Sequence, residues 1–215
     1  MQTLTELILQ TPLAERVFTE TELSHRLEGS AQRRHALVNR ALKAGELVRA
    51  RRGLYLLAPH LRKTPCQPFA MAQALLPGSY VSLETALGWH GWIPEAVPVV
   101  ASVTPYRKTL HYTVPGMGEF SFYPLALQTG FFLELVGREQ LAQQTMLVAS
   151  PLRALVDLVC LRKEPWQGRA WLEQGLRIDA AHLDSIQQQD IDILKQVYKQ
   201  KRVQDFLKGM EAIHD

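Results

Sequence analysis

Apolar residues in the first third of the chain recur at helical spacing, in stretches bounded by capping signals. The first stretch covers residues 3–10. The second begins at Thr19, which is followed three residues later by Glu22, the spacing of a capping box, and it ends near Gly29. Because a third stretch begins immediately at Ser30, the pattern predicts two capped helices joined by one or two residues, as in a helix-turn-helix.

The third predicted helix, from Ser30 to Gly45, has an apolar side and a basic side. Its apolar stripe consists of Leu37, Val38, Ala41 and Leu42. Its opposite face carries basic and amide side chains without an acid: Gln32, Arg33, Asn39, Arg40 and Lys43, around Ala36. Arginine pairs with guanine and asparagine or glutamine with adenine in the major groove, so this face predicts a DNA-recognition helix.

A β-hairpin is predicted directly after this helix. Residues 46–48 and 54–57 have the pattern of two short strands, and residues 49–53 are predicted to form the turn between them. Arg49, Arg51 and Arg52 would then lie at the tip, where basic side chains suit contacts to phosphates or to the minor groove. The helices and the hairpin together predict a winged helix.

The rest of the chain has mixed α/β patterning. Residues 60–68 contain two prolines and are predicted to link the winged helix to a second domain. Helices are predicted for residues 69–76, 83–91 (capped by Ser82), 151–162 and the tail beyond 166, and strands for residues 97–104, a hairpin over 110–125, and 145–150. The expected fold class is therefore α+β, with a winged helix-turn-helix over residues 1–63 and a mixed α/β domain with a helical tail over residues 64–215.

Charge is concentrated in one segment. The 215 residues carry a net charge of +3, but residues 24–63 contain ten Lys or Arg against two acids, which makes this segment +8 and the remainder −5. Such a basic block on a mildly acidic protein is typical of a nucleic-acid-binding surface.

Composition indicates a cytoplasmic globular protein. No apolar run approaches the roughly 20 residues of a membrane span, and residues 1–10 lack the features of a secretory signal. Cys66 and Cys160 lie 94 positions apart, without the spacing of a disulfide framework or a zinc site. We therefore expect no cofactor, metal or membrane partner.

Catalytic motifs are missing from the sequence. A nucleotidyltransferase needs a Gly-Ser turn followed closely by two metal-binding acids, but Asp190 and Asp192 lie more than a hundred residues after Gly78-Ser79. The Asp/Glu-x-Lys spacing of a restriction-type nuclease does not occur. His90, between two tryptophans, is interpreted as structural, and Glu84 as stabilising the first turn of its helix. The chain is predicted to be non-enzymatic, with no catalytic residue.

Four sequence segments, in order along nearly the whole chain, resemble the AbiEi family of antitoxins. Members of this family are predicted transcriptional regulators of phage-defence loci. The four segments are LVRARRGLYLLAP, SYVSLETALGWHGWIPE, SPLRALVDLVCL and KRVQDFL. The resemblance implies that an N-terminal winged helix represses the protein's own operon. It also implies that a C-terminal α/β domain counteracts a nucleotidyltransferase toxin encoded by a neighbouring gene. By this resemblance Arg33, Arg34, Asn39, Arg40 and the wing arginines bind DNA, and no C-terminal site residue is assigned.

The leading hypothesis is thus an autorepressor and antitoxin whose partners are double-stranded operator DNA and a nucleotidyltransferase toxin. The expected DNA-binding residues are Ser30, Gln32, Arg33, Arg34, Asn39, Arg40, Lys43, Arg49, Arg51 and Arg52. An alternative is a winged-helix regulator without a toxin, whose C-terminal domain senses a ligand or a partner. A third class, a nucleic-acid-processing enzyme, is disfavoured by the missing acid-lysine and metal spacings.

Overall fold

A computed structural model describes residues 3–95, 98–141 and 144–213 and shows a mixed α+β chain, as predicted. Its helices are α1 Leu4–Leu9, α2 Glu20–Ser24, α3 Ala31–Lys43, α4 Pro68–Leu75, α5 Leu83–Trp89, α6 Pro151–Arg162, α7 Ala180–Asp184, α8 Gln188–Val197 and α9 Lys201–Glu211. Its strands are β1 Phe18–Thr19, β2 Leu47–Arg51, β3 Leu54–Leu57, β4 Tyr80–Val81, β5 Val99–Thr104, β6 Leu110–Val114, β7 Gly118–Pro124, β8 Val136–Leu141 and β9 Gln144–Ala149. No helix among these residues is both long enough and apolar enough to cross a membrane.

The N-terminal region, residues 3–63, combines three helices with a three-stranded antiparallel sheet in the order β1-β3-β2. The predicted caps are confirmed: Thr19 and Glu22 form a capping box, and the Ser30 hydroxyl accepts the Arg33 N–H. A hydrophobic cluster of its own, which includes Ile8, Leu23 and Val38, holds the helices against the sheet.

Two boundaries in this region differ from the sequence prediction. Helix α2 ends at Ser24, so it stops before Leu27. Strand β2 continues to Arg51, so the predicted turn of residues 49–53 is wrong and Arg52 and Gly53 alone connect the strands. Gly53 has φ +73°, the left-handed conformation that tight hairpin turns require. Backbone pairing with β3 therefore extends β2 through residues 49–51, which the sequence analysis placed in the turn.

The C-terminal region is built on a six-stranded sheet in the order β6-β7-β5-β4-β9-β8. The pairs β5–β7 and β4–β9 are parallel, and the other pairs are antiparallel. The β6–β7 hairpin, β9 and α6 agree with the prediction, whereas β4 and β8 were not predicted. Strand β4 has two residues, and β8 (VGREQL) lacks apolar alternation because most of its side chains are exposed at the sheet edge. Val97, the first residue of the predicted β5, lies outside the described residues.

The β2–β3 hairpin belongs to the hydrophobic clusters of both regions. All four residues of β3 are buried. Tyr55 and Leu57 join the N-terminal cluster, whereas Leu54 and Leu56, together with Ala50 of β2, join the cluster of the six-stranded sheet. Successive side chains of a strand point to opposite faces, so β3 is covered on both faces. The hairpin therefore fixes the N-terminal helices relative to the second sheet.

Residues 60–68, predicted to be a linker, are hydrogen-bonded to both regions. The Thr64 N–H donates to Glu15 Oε2 at 3.0 Å, on the N-terminal side. On the C-terminal side, the Gln144 side chain accepts the Gln67 N–H and donates to the Pro65 carbonyl, both at 3.0 Å. These bonds restrain residues 64–67 of the segment.

A buried ion pair lies at the centre of the C-terminal region. Arg153 and Asp157, one turn apart on α6, are both 0% exposed, with Nε 3.2 Å from Oδ1. Asp157 also accepts hydrogen bonds from the hydroxyls of Tyr80 (2.9 Å), Ser82 (2.7 Å) and Tyr198 (2.7 Å). Ser82 precedes α5 as predicted, but its hydroxyl makes no capping hydrogen bond to that helix and instead donates to Asp157.

The guanidinium of Arg153 is equally well bonded. It donates to the Glu134 carbonyl at 2.9 Å, to the Phe132 carbonyl at 3.3 Å and to the Tyr80 hydroxyl at 2.7 Å. Burial opposes its charge, yet Asp157 and the two tyrosines outweigh burial, so the pKa of Arg153 lies above its ordinary value. Burial, followed by the Asp157 charge, raises the pKa of both Tyr80 and Tyr198 well above the usual range. At neutral pH the two tyrosines therefore keep their hydroxyl protons and Arg153 keeps its charge.

We expect Arg153→Met to lower the free energy of unfolding by about 3–5 kcal/mol, because it leaves a buried carboxylate without its countercharge. Tyr198→Phe should cost about 1.5–3 kcal/mol, the range for a hydrogen bond to a charged group. Urea denaturation of the full chain measures both. Arg169→Met is the matched control, since Arg169 and Glu173 have the same four-residue spacing at a solvent-accessible site, and it should shift the midpoint far less. If Arg153→Met had the same urea midpoint as this control, the buried ion pair would not have the stabilising role assigned to it.

Candidate nucleic-acid interface

Helix α3 presents its predicted polar face to solvent. Val38 and Ala41 are buried in the N-terminal cluster and fix the rotation of the helix. The opposite side is solvent-accessible and carries Gln32, Arg33, Ala36, Asn39, Arg40 and Lys43, of which Asn39 is half-buried and the others are exposed. Helix α3 contains no acidic residue, so these cations lack an acid on their own helix. The structure thus brings together five of the predicted site residues.

Ser30 and Arg34 are placed differently from the other predicted residues. The Ser30 hydroxyl is occupied in capping the helix. Arg34 is half-buried, and its guanidinium turns back to the Gly29 carbonyl, because a helix rotates by about 100° per residue and carries Arg34 away from Arg33. Arg33 makes a longer contact of 3.5 Å with the Glu28 carbonyl. Arg34 therefore lies off the basic face, on the side of α3 that carries Val38 and Ala41, whereas Arg33 lies on the basic face.

His35 is a member of this surface that the sequence analysis did not single out. It is exposed, one turn before Asn39, and the Asn39 amide nitrogen lies 3.1 Å from His35 Nδ1. The contact orients the Asn39 amide, because a nitrogen donor there leaves the amide oxygen pointing away from the ring. The signal that could have found it is the four-residue spacing, which places both side chains on one side of a helix.

Arg49 extends the surface from α3 onto strand β2. Asn39, Leu42, Lys43 and Arg49 line one shallow depression between the helix and the strand. The Arg49 guanidinium lies 6.0 Å from the centre of the Tyr55 ring, within the range of a cation–π contact. The basic surface is therefore continuous from helix to hairpin, and we define it as Gln32, Arg33, Asn39, Arg40, Lys43 and Arg49, the α3–β2 basic face.

The two arginines at the hairpin turn have different environments. Arg51 is half-buried, and its Nε donates to the Leu75 carbonyl at the end of α4, at 3.1 Å. Arg52, the first residue of the turn, is exposed. Arg51 thus connects the hairpin to the C-terminal region, while Arg52 faces solvent at the predicted position.

The residues considered for chemistry are held in structural contacts. His90 Nε2 lies 2.9 Å from the Ala149 carbonyl, so this nitrogen carries the proton. Glu84, in the first turn of α5, pairs with Arg162 of α6. Asp192 on α8 contacts Gln188 and Lys195. Within residues 3–95, 98–141 and 144–213, no three His, Cys, Asp or Glu side chains are placed to hold a metal ion.

Neither protein-family models nor curated proteins give a match to this chain. Its function is therefore inferred from the geometry of its own residues and from the resemblance described above.

The different environments of Arg51 and Arg52 give a direct test on stability. We expect Arg51→Met to lower the free energy of unfolding by about 1 kcal/mol, the value of one hydrogen bond, because the Leu75 carbonyl loses its donor. Arg52→Met, the matched control one residue away, should stay within about 0.5 kcal/mol of the wild type, as surface substitutions do. Chemical denaturation measures both. Equal losses in the two variants would show that the Arg51 hydrogen bond contributes nothing specific.

Proposed function

We propose that the protein is a DNA-binding transcriptional autorepressor with an N-terminal winged helix over residues 1–63. Within this region the described elements run α1, β1, α2, α3, β2, β3, and the three strands pair in the order β1-β3-β2. This arrangement supports the winged-helix interpretation, with α3 as the recognition helix and the β2–β3 hairpin as the wing. Its partner would be double-stranded operator DNA.

The observation that carries the proposal is the α3–β2 basic face, to which α3 contributes no acid. Glu28 and Glu46, which belong to neighbouring segments, line depressions beside Arg33 and Arg40. Helix α3 has 13 residues, which makes it about 20 Å long, and a major groove about 12 Å wide admits such a helix. Gln32, Arg33, Asn39 and Arg40 supply the donors and acceptors that distinguish bases there, and the small side chain of Ala36 between them permits contact with a thymine methyl group. Arg49 and Arg52 would hold phosphates on either side.

We further propose that the protein is the antitoxin of an AbiE-like system and counteracts a nucleotidyltransferase toxin in the cytoplasm. The support is the resemblance to AbiEi antitoxins. The four segments that carry the resemblance lie on the β2–β3 hairpin, on β4 and α5, on α6 and on α9. Three of the four thus belong to the C-terminal region, whose centre is the Arg153–Asp157 pair. We infer no enzymatic activity, since the candidate residues His90, Glu84 and Asp192 are engaged in structural contacts.

A second candidate function is a winged-helix regulator whose C-terminal region senses a small molecule and which has no toxin. One observation favours it: a cavity of about 590 Å³ in the C-terminal region, a volume in the range of ligand sites. The identity of the neighbouring gene separates the two candidates, because the antitoxin function requires a nucleotidyltransferase there.

DNA binding is tested by a footprint on the region upstream of the protein's own gene. Arg40→Ala should weaken binding to the protected site by about 1–3 kcal/mol and affect unrelated DNA less, because it removes a base contact. Arg52→Ala should weaken binding to all DNA alike and reduce the salt slope by about one, because it leaves one phosphate without its cation.

Arg138→Ala is the control for both variants, since Arg138 is an exposed arginine on the edge strand β8. It should bind like the wild type. An unprotected upstream region, or equal losses of affinity for Arg138→Ala and Arg40→Ala, would contradict the DNA-binding proposal.

The antitoxin function is tested separately from repression, in the full chain. A fragment starting at Cys66 would lack Ala50, Leu54 and Leu56 of the C-terminal cluster, so point variants are preferable. We expect Arg33→Ala combined with Arg40→Ala to abolish repression yet still rescue growth when the neighbouring toxin is expressed from an unrelated promoter. Failure of the wild-type chain to rescue would end the antitoxin proposal, and failure of the double variant alone would show that the two roles are coupled.

A further inference from the structure

The cavity in the C-terminal region lies between the six-stranded sheet and helices α5 and α6. Its walls are mainly apolar: Leu83, Leu87, Ile93, Pro98, Val99, Ala101, Leu158, Leu161 and Leu176. Several of these side chains belong to the buried core, such as Leu87 at 0% and Leu158 at 2% exposure. The cavity opens to solvent at a rim that includes Glu84, Glu95 and Arg162, and its volume of about 590 Å³ lies in the range of small-molecule sites.

Two hydroxyl groups from β7 are the uncharged polar side chains among the described lining residues. Ser121 is 6% exposed, and its Oγ lies 2.9 Å from His111 Nδ1. Tyr123 lies two residues further along the strand, on the same side of the sheet, and its ring contacts His111 edge-on. These hydroxyls give an otherwise apolar wall one position where a ligand can donate or accept a hydrogen bond.

The charged groups at the rim of the cavity are already paired. Glu84 of α5 forms an ion pair with Arg162 of α6, and Glu95 forms one with Arg177. The hydrogen bonds from Arg177 lower the pKa of Glu95, which keeps this carboxylate ionised and bound to its partner. Both pairs are solvent-exposed and therefore weak, but they leave the described lining residues without an unpaired charge. A charged ligand would lose hydration against the apolar walls without gaining a countercharge, whereas an uncharged ligand would not.

We propose that this cavity is a binding site for an uncharged small molecule with a mainly hydrocarbon or aromatic body and one or two hydrogen-bonding groups. The volume fits a ligand of ordinary small-molecule size, whose body would be enclosed by the leucines of α5 and α6. Its polar group would face Ser121 and Tyr123. The inference deepens the ligand-sensing candidate but rests on the C-terminal region alone, so its test and the DNA footprint succeed or fail independently.

The test is a fluorescence titration of the full chain with two dyes that share an aromatic body. N-phenylnaphthylamine is uncharged, and anilinonaphthalene sulfonate carries a fixed negative charge. We expect saturable one-to-one binding of the neutral dye and a dissociation constant roughly tenfold or more higher for the anionic dye, because the described lining residues offer the sulfonate no unpaired cation. No saturable binding of the neutral dye, or tighter binding of the anionic dye, would overturn the proposal.

Two variants localise the binding. Ala101→Leu places an isobutyl group in the cavity and should raise the dissociation constant of the neutral dye by roughly tenfold or more. Ala31→Leu, the same substitution at an exposed position of α3, is the control and should leave it unchanged. Val99→Phe, at a half-buried position of the same wall, serves if Ala101→Leu does not fold. Wild-type affinity in a folded cavity-filling variant would show that the dye binds elsewhere and that the assignment is wrong.

Discussion

The C-terminal region depends on the ion pair between Arg153 and Asp157. Both groups are fully buried, and a buried charge is tolerated only when its hydrogen-bonding capacity is met. Here the partners come from β4, from the start of α5, from residues 132 and 134, and from Tyr198 after α8. Segments more than 70 residues apart in sequence are therefore held at fixed positions around α6.

This constraint also determines where the cavity can form. Because Ser82 donates to Asp157, the beginning of α5 is held beside α6, and the Glu84–Arg162 pair joins the two helices one turn further on. The sheet beneath them carries the small side chains Ala101 and Ser121 in adjacent strands. Because α5 and α6 are held in place, they cannot move closer to these small side chains, and the cavity remains between the helices and the sheet.

The β2–β3 hairpin has the corresponding role between the two regions. Its β3 strand is buried on both faces, and Arg51 is hydrogen-bonded to the end of α4. The hairpin is thus a rigid connection, and the α3–β2 basic face is held in one orientation relative to the six-stranded sheet. In the proposed repressor, DNA would therefore meet a preformed surface.

The sequence by itself determined the elements that depend on neighbouring residues, such as capped helix starts and continuous apolar runs. Thr19, Glu22 and Ser30 specify helix starts because a cap depends on residues three apart, and α6 follows from a proline and a continuous apolar run. The basic side of α3 could be predicted for the same reason, since helical periodicity alone separates it from Val38 and Ala41. Tertiary structure decided the environments of the hairpin arginines: Arg51 donates to Leu75, while Arg49 stays exposed beside Lys43. It also decided that the Ser82 hydroxyl donates to Asp157 and makes no cap bond to its own helix, because only folding brings Asp157 within reach of Ser82. Tertiary structure likewise decided β8, the cavity and the Arg153 network. The residues that form the cavity and the network are distant in sequence, and β8 is an edge strand without apolar alternation, so no periodic pattern in the sequence predicts them.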